Sequence, residues 1–146
     1  IGSEPYSDSS AEKPTYAKYE KPAEESHPLS DQNLKYLIEI AVSDVKTAEF
    51  VLENSGNKSL EVYGITSSCG CTFGEIEIND IKSPQFAMHA KSNWVGVVQK
   101  GNKALVRVTY KPSIMPVKGE VTRMVYVKTN DPNNPELTFS VKANVK

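Results

Sequence analysis

From Asp31 to the C-terminus, apolar and polar residues alternate along this chain with a period of two. Leu34, Tyr36, Ile38, Ile40 and Val42 stand at every second position among mostly polar neighbours, the pattern of a strand with one face buried. Phe50 and Leu52 mark a second strand, closed by Asn54-Ser55-Gly56-Asn57, a turn-forming cluster that tolerates positive φ. Further strands are expected around Leu60, Val62 and Ile65, around Ile76 and Ile78, and over Trp94 to Val98. Ala104, Val106, Val108 and Tyr110 alternate before Lys111-Pro112, and Val121–Thr129 and Leu137–Val145 complete the set. The proline- and amide-rich run Asn130-Asp131-Pro132-Asn133-Asn134-Pro135 between the last two reads as a turn. No stretch of ten or more residues follows a helical period. Short strands separated by turn signals predict an all-β, two-layer antiparallel sandwich over residues 31–146. Its core should hold Phe50, Leu52, Val62, Val106, Val108, Tyr126, Phe139 and Val141. Glu75, Glu77 and Asp80 read as a solvated strand face.

Residues 1–30 are built differently. Ile1 and Leu29 are their only aliphatics larger than alanine, and Pro5, Pro14, Pro22 and Pro28 punctuate a run of Ser, Glu and Lys. Such a segment buries too little apolar surface to offset its ordering entropy, so by itself it is expected to be a disordered or extended polar arm, either a linker left after export or an arm that docks on another subunit. Tyr6, Tyr16 and Tyr19 are its large anchors. They are the candidate partner-binding residues if the arm docks on another copy of the protein.

Composition narrows the function classes. The chain has 146 residues, 24% of them charged, and a formal net charge of −1. That balance gives no electrostatic reason to expect nucleic acid or an anionic membrane as partner. No apolar run approaches the roughly 20 residues of a membrane-spanning helix. The chain opens at Ile1, and an exported product whose leader has been removed is the expectation drawn from it.

Four stretches carry a family resemblance: Phe50-Val51-Leu52-Glu53-Asn54-Ser55-Gly56, Ser68-Cys69-Gly70-Cys71-Thr72, Phe86-Ala87-Met88-His89 and Val127-Lys128-Thr129-Asn130-Asp131-Pro132. In order and spacing the chain resembles the secreted bacterial domains of unknown function whose hallmark is Cys-Gly-Cys-Thr. Lys100-Gly101-Asn102 stands where that family usually has a Pro-Gly-Glu turn. The resemblance implies an immunoglobulin-like fold, related to the major-sperm-protein and cilia-associated domains, and an exported setting. It implies no reaction.

The candidate chemistry centres on Cys69 and Cys71, the only cysteines. Three readings are open: a pair of buried thiols, a disulfide favoured by export, or two thiolate ligands of a soft metal. Thiolate and thioether donors select Cu(I), and imidazole suits copper and zinc. His89, with Met88 or His27 as a further donor, would complete a copper site, whereas a single Cys-x-Cys lacks the paired knuckles of structural zinc. No catalytic triad, phosphate loop or two-residue Cys-x-x-Cys redox spacing is present, so an enzyme is not expected. The functional expectation is an extracytoplasmic structural or interaction module, secreted or at the cell surface, self-assembling into fibres through residues 1–30 and holding copper at the Cys-Gly-Cys loop. The alternative is a monomeric periplasmic copper-binding or thiol-redox domain.

Overall fold

The computed structural model of the chain describes residues 18–19 and 34–146. Ten strands follow in order: β1 (Lys18–Tyr19), β2 (Leu34–Ile40), β3 (Lys46–Glu53), β4 (Leu60–Ser67), β5 (Thr72–Ile78), β6 (Ile81–Lys82), β7 (Val95–Val98), β8 (Lys103–Tyr110), β9 (Gly119–Thr129) and β10 (Glu136–Val145). A 3-10 turn over Pro112–Ile114 is the one helical piece among the described residues. The strands form two five-stranded sheets, β1-β3-β8-β5-β6 and β2-β10-β9-β4-β7. They face each other as the immunoglobulin-like sandwich that the alternation predicts.

The alternation becomes the core directly. β3 turns Ala48, Phe50 and Leu52 inward, β8 turns Ala104, Val106 and Val108 inward, and β10 supplies Leu137, Phe139 and Val141 from the opposite sheet. Phe50 and Phe139 meet across the sheet interface with ring centroids 5.3 Å apart and a 58° tilt, a favourable edge-on geometry. Close approach of the sheets is set by Gly74 on β5: a Cβ there would lie 2.6 Å from Val125 Cγ1 of β9. The backbone of Gly74 also bonds Phe86 in both directions, at 2.8 Å each, which brings the Phe86 side chain into the same core.

Where the sequence reading and the structure differ, a break in strand phase is the usual cause. On β4, Leu60 and Val62 face inward but so do Ile65 and Ser67, because Gly64 adopts a φ of +59° and its pairing with β9 slips between Tyr63 and Thr66. The extra residue forms a bulge, and glycine supplies the left-handed conformation at no steric cost. On β2 the register against β10 shifts, Tyr36 pairing with Lys142 and Ile38 with Ala143. Tyr36 is therefore 64% exposed rather than facing the core, while Leu37 packs against it and Ile40 is buried. β2 also runs parallel to β10, an exception to the antiparallel expectation. Tyr126 is half-buried on the outer side of β9, and its neighbours Val125 and Val127 are the core residues instead.

The turns differ as well. Asn54 is fully buried and does not sit at positive φ. Its amide donates to Lys58 O and Val98 O and accepts from Gly56 N, linking the end of β3 to β7 of the other sheet. Positive φ falls instead on Asn79 and Asp80, between β5 and β6, as a two-residue hairpin turn requires. Asp131 is likewise buried, accepting from Asn133 N and from the Asn134 amide. Glu75 and Glu77 are not solvated: their side chains are 15% and 16% exposed and flank Arg107 of β8. Arg107 Nε donates to Glu49 at 2.8 Å and its Nη1 lies 2.7 Å from Glu77. The hydrogen bond to Glu49, then the contact with Glu77, push the guanidinium pKa up from its ordinary value. Cross-strand register places this cation between carboxylates of both neighbouring strands.

Two substitutions test this core. Phe139→Ala should cost about 3–5 kcal/mol in denaturant unfolding, the range for removing a fully buried aromatic. Gly74→Ala should cost roughly 1–3 kcal/mol by overpacking against Val125, whereas Gly101→Ala, with open space around its Cβ position, should show only the milder penalty of a positive φ.

Candidate functional site at the Cys-Gly-Cys end

β4 delivers the chain to the cysteines at one end of the sandwich. Ser67 Oγ donates to Cys69 O at 2.7 Å, and Ser68 exchanges two bonds with Met124 of β9, N to O at 2.9 Å and Oγ from N at 3.0 Å. Thr72 N closes the turn onto Cys69 O at 3.1 Å, and Lys111 N fixes Cys71 O at 2.9 Å to the end of β8. Every one of these bonds holds backbone, so the cysteine side chains are left to point where the turn directs them. They point inward. Cys69 and Cys71 are joined as a disulfide, with Cα atoms 5.2 Å apart, rather than remaining free thiols.

The pair lies in a small core of its own with Ile40, Tyr110, Ala143 and Val145, the last inward residues of β2, β8 and β10. Cys71 is wholly buried and Cys69 nearly so. Met115, just past the 3-10 turn, brings its Sδ within 3.9 Å of Cys69 Sγ while remaining half exposed beside Ile114 and Val117. The site is thus three sulfur atoms at the boundary between core and solvent. Two buried donors accompany it: the Tyr110 hydroxyl and Arg123 Nε have no hydrogen-bond partner among the described residues. The Arg123 guanidinium sits 5.6 Å from the centroid of the Tyr110 ring.

The residues expected to join the cysteines stand elsewhere. His89 lies in the turn closed by Ala90 N to Ala87 O, at a φ of +62°, and its side chain is exposed. Met88 is 39% exposed in the same turn. That segment packs, through Phe86 and Ala90, on the main core and not on the cysteine cluster. Among the described residues no group of three or more His, Cys, Asp or Glu side chains is placed to hold a metal ion. His27, Tyr6 and Tyr16 lie outside the described residues. Tyr19 belongs to β1, which pairs antiparallel with β3 of its own chain, Lys18 opposite Glu53 and Tyr19 opposite Leu52. Sequence reasoning missed Met115 and Tyr110, and Arg123 against the Tyr110 ring, because tertiary packing alone brings them to this end of the sandwich. The one local signal was an apolar run, Ile114-Met115-Pro116-Val117, lying outside any strand.

Fold and site together define an immunoglobulin-like β-sandwich with a disulfide in one end. Comparison with known proteins agrees on the fold. A family model described as a protein of unknown function (DUF1573) matches residues 32–86, a stretch that includes the Cys69–Thr72 turn. The chain is similar to a protein of unknown function from Porphyromonas gingivalis W83, with 15% identity and a TM-score of 0.57 over 77% of this chain and 44% of that one. It spans less than half the length of that protein. It is also similar to the ASH / PapD-like domain 7 of human CEP192, with 13% identity and a TM-score of 0.50, covering 100% of this chain and 96% of the other. A family 123 glycoside hydrolase from Clostridium perfringens shares the fold over 23% of its length, with 12% identity and a TM-score of 0.54. No curated protein matches. Among the described residues no helix is long and apolar enough to cross a membrane.

The buried hydroxyl gives a direct test of the site's geometry. Tyr110→Phe removes a donor that makes no bond in the disulfide form, so unfolding stability should be unchanged or rise by up to about 1 kcal/mol, because an unsatisfied buried polar group is a penalty removed. Tyr110→Ala should instead cost about 3–5 kcal/mol by emptying the cluster.

Proposed function

We propose that this chain is an extracytoplasmic interaction module that recognises extended segments at the edges of its sheets and assembles copy to copy through its N-terminal arm. The observation that carries this reading is the pairing of β1 with β3. A segment of the arm adds to the outer edge of the β3 sheet as a strand, so that edge accepts extended backbone from outside the sandwich. The same register filled by the arm of a neighbouring copy would join domains head to tail. Between Tyr19 and Leu34 there is on the order of 50 Å of extendable chain at about 3.3 Å per residue, enough for the segment to reach a neighbour. Head-to-tail contacts of this kind do not close on themselves and yield fibres.

The opposite sheet supports the same reading. It ends on β7, Val95-Gly96-Val97-Val98, which carries no charge or proline, and Val95 and Val97 are 52% and 39% exposed. Edges that are meant to stay unpaired usually carry Lys, Pro or a bulge. The disulfide between the only two cysteines supports an oxidising, extracytoplasmic setting. A second reading, a monomeric copper-binding or thiol-redox domain, is favoured by the sulfur cluster at Cys69, Cys71 and Met115.

Light scattering on size-exclusion fractions of the full chain separates the two. Under the assembly reading, mass rises with protein concentration, and deleting residues 1–30 leaves a folded monomer. A full-length chain that stays monomeric at high concentration, or a truncated chain that assembles as before, overturns it.

A further inference from the structure

The sulfur cluster has a geometry that the assembly reading does not use. Cys69 Sγ and Met115 Sδ are 3.9 Å apart. Two sulfur ligands of one trigonal metal ion, each at a bond length of about 2.3 Å, stand about 4 Å from each other. The Cα atoms of Cys69 and Cys71 are 5.2 Å apart on a turn held by serine bonds and by Cys71 N donating to Cys69 Sγ at 2.9 Å, so separating the two sulfurs calls for side-chain rotation that gives up this last bond. Two thiolates and a thioether are soft donors, and that set selects Cu(I) over the hard and borderline cations. Met115, half exposed, provides the route from solvent to an otherwise buried pair.

Charge supplies an independent argument. A Cu(I) ion on two thiolates carries one net negative charge, costly to bury without donors nearby. The Tyr110 hydroxyl belongs to the cysteine cluster, and both it and Arg123 Nε are buried without a hydrogen-bond partner among the described residues. The Arg123 guanidinium lies over the Tyr110 ring, 5.6 Å from its centroid. The disulfide form leaves the Tyr110 hydroxyl without an acceptor among the described residues, and an anionic copper–dithiolate centre in the same cluster would offer one.

We propose that the reduced chain binds one Cu(I) ion through Cys69 Sγ, Cys71 Sγ and Met115 Sδ, so that the disulfide and the copper centre are alternative states of one site. The interconversion balances with a small-molecule thiol as reductant. Two thiols reduce the Cys69–Cys71 bond and leave as their own disulfide, giving two protein thiols. Binding of Cu(I) then releases the two thiol protons. This proposal stands apart from the assembly reading and gives the soft-metal reading its third donor, in place of Met88 or His89.

The full-length chain, reduced anaerobically with dithiothreitol and desalted, is titrated with Cu(I) against the chromophoric chelator bathocuproine disulfonate. One Cu(I) per chain should be withdrawn from the chelator, and X-ray absorption should report sulfur ligands alone at about 2.3 Å. Met115→Leu keeps both cysteines and the apolar volume, and should lower Cu(I) affinity about ten-fold or more. Tyr110→Phe should weaken it without destabilising the disulfide form, while Met88→Leu and His89→Ala should bind as wild type. No copper retained against the chelator, or unfolding of the chain on reduction alone by circular dichroism, overturns the metal site altogether. Retained copper with Met115→Leu binding as wild type, or with affinity lost in Met88→Leu or His89→Ala, overturns the assignment of Met115 while leaving soft-metal binding in place.

Discussion

Phe50 and Phe139 meet in the apolar layer between the two sheets, and that layer is the constraint from which the remaining architecture follows. Each sheet alone would expose an apolar face, and burying both against one another is the main favourable term in folding a sandwich of this size. Keeping the layer closed demands small residues where backbones approach, hence Gly74 opposite Val125. It also demands that the polar groups carried inward at strand ends be satisfied locally. Asn54 and Asp131, both buried, do this by bonding the loops that close the two ends of the strands.

The cysteine end departs from that scheme. The buried amide and carboxylate at the turns have hydrogen-bond partners. Among the described residues the Tyr110 hydroxyl in the cysteine cluster does not, nor do Arg123 Nε, whose guanidinium lies over the Tyr110 ring, and Arg107 Nη1 on β8, beyond its ion pair with Glu77. A buried donor without an acceptor is a cost that packing elsewhere must offset. Such departures from local consistency are where function is to be sought first. The cluster is also distinct from the main core, formed by the last inward residues of three strands and the turn after β4, with Leu37 packed against both.

The edges of the sheets supply the other functional resource. A sandwich leaves the outermost strands of both sheets with unpaired backbone groups on one side. Here one such edge already accepts two residues of the arm, and another is an uncharged valine-rich strand. These edges and the disulfide lie in different parts of the molecule: β1 covers part of the β3 edge and β7 ends the other sheet, while the disulfide lies inside at the end of the strands.

The strands themselves were legible in the chain, because period-two alternation is imposed by the pleat and needs no partner to be read. The inward sets of β3, β8 and β10 follow from spacing alone, as does the polar character of the arm. Sequence reading failed where a single residue changes phase. The Gly64 bulge, the slip of β2 beside Lys142 and the placing of Val125 and Val127 rather than Tyr126 inside depend on which strand lies alongside, and that is a tertiary fact. Glu75 and Glu77 looked solvated for the same reason, since their partner Arg107 stands some thirty residues away in the chain and one strand away in space. The site was half visible: Cys69 and Cys71 announce themselves, but a histidine nearby in the motif is a weaker guide than what the turn faces. Only tertiary packing decided that Met115 and Tyr110 join the cysteines, with Arg123 against the Tyr110 ring, because inter-strand contact is fixed by register and closure and leaves no local trace in the sequence.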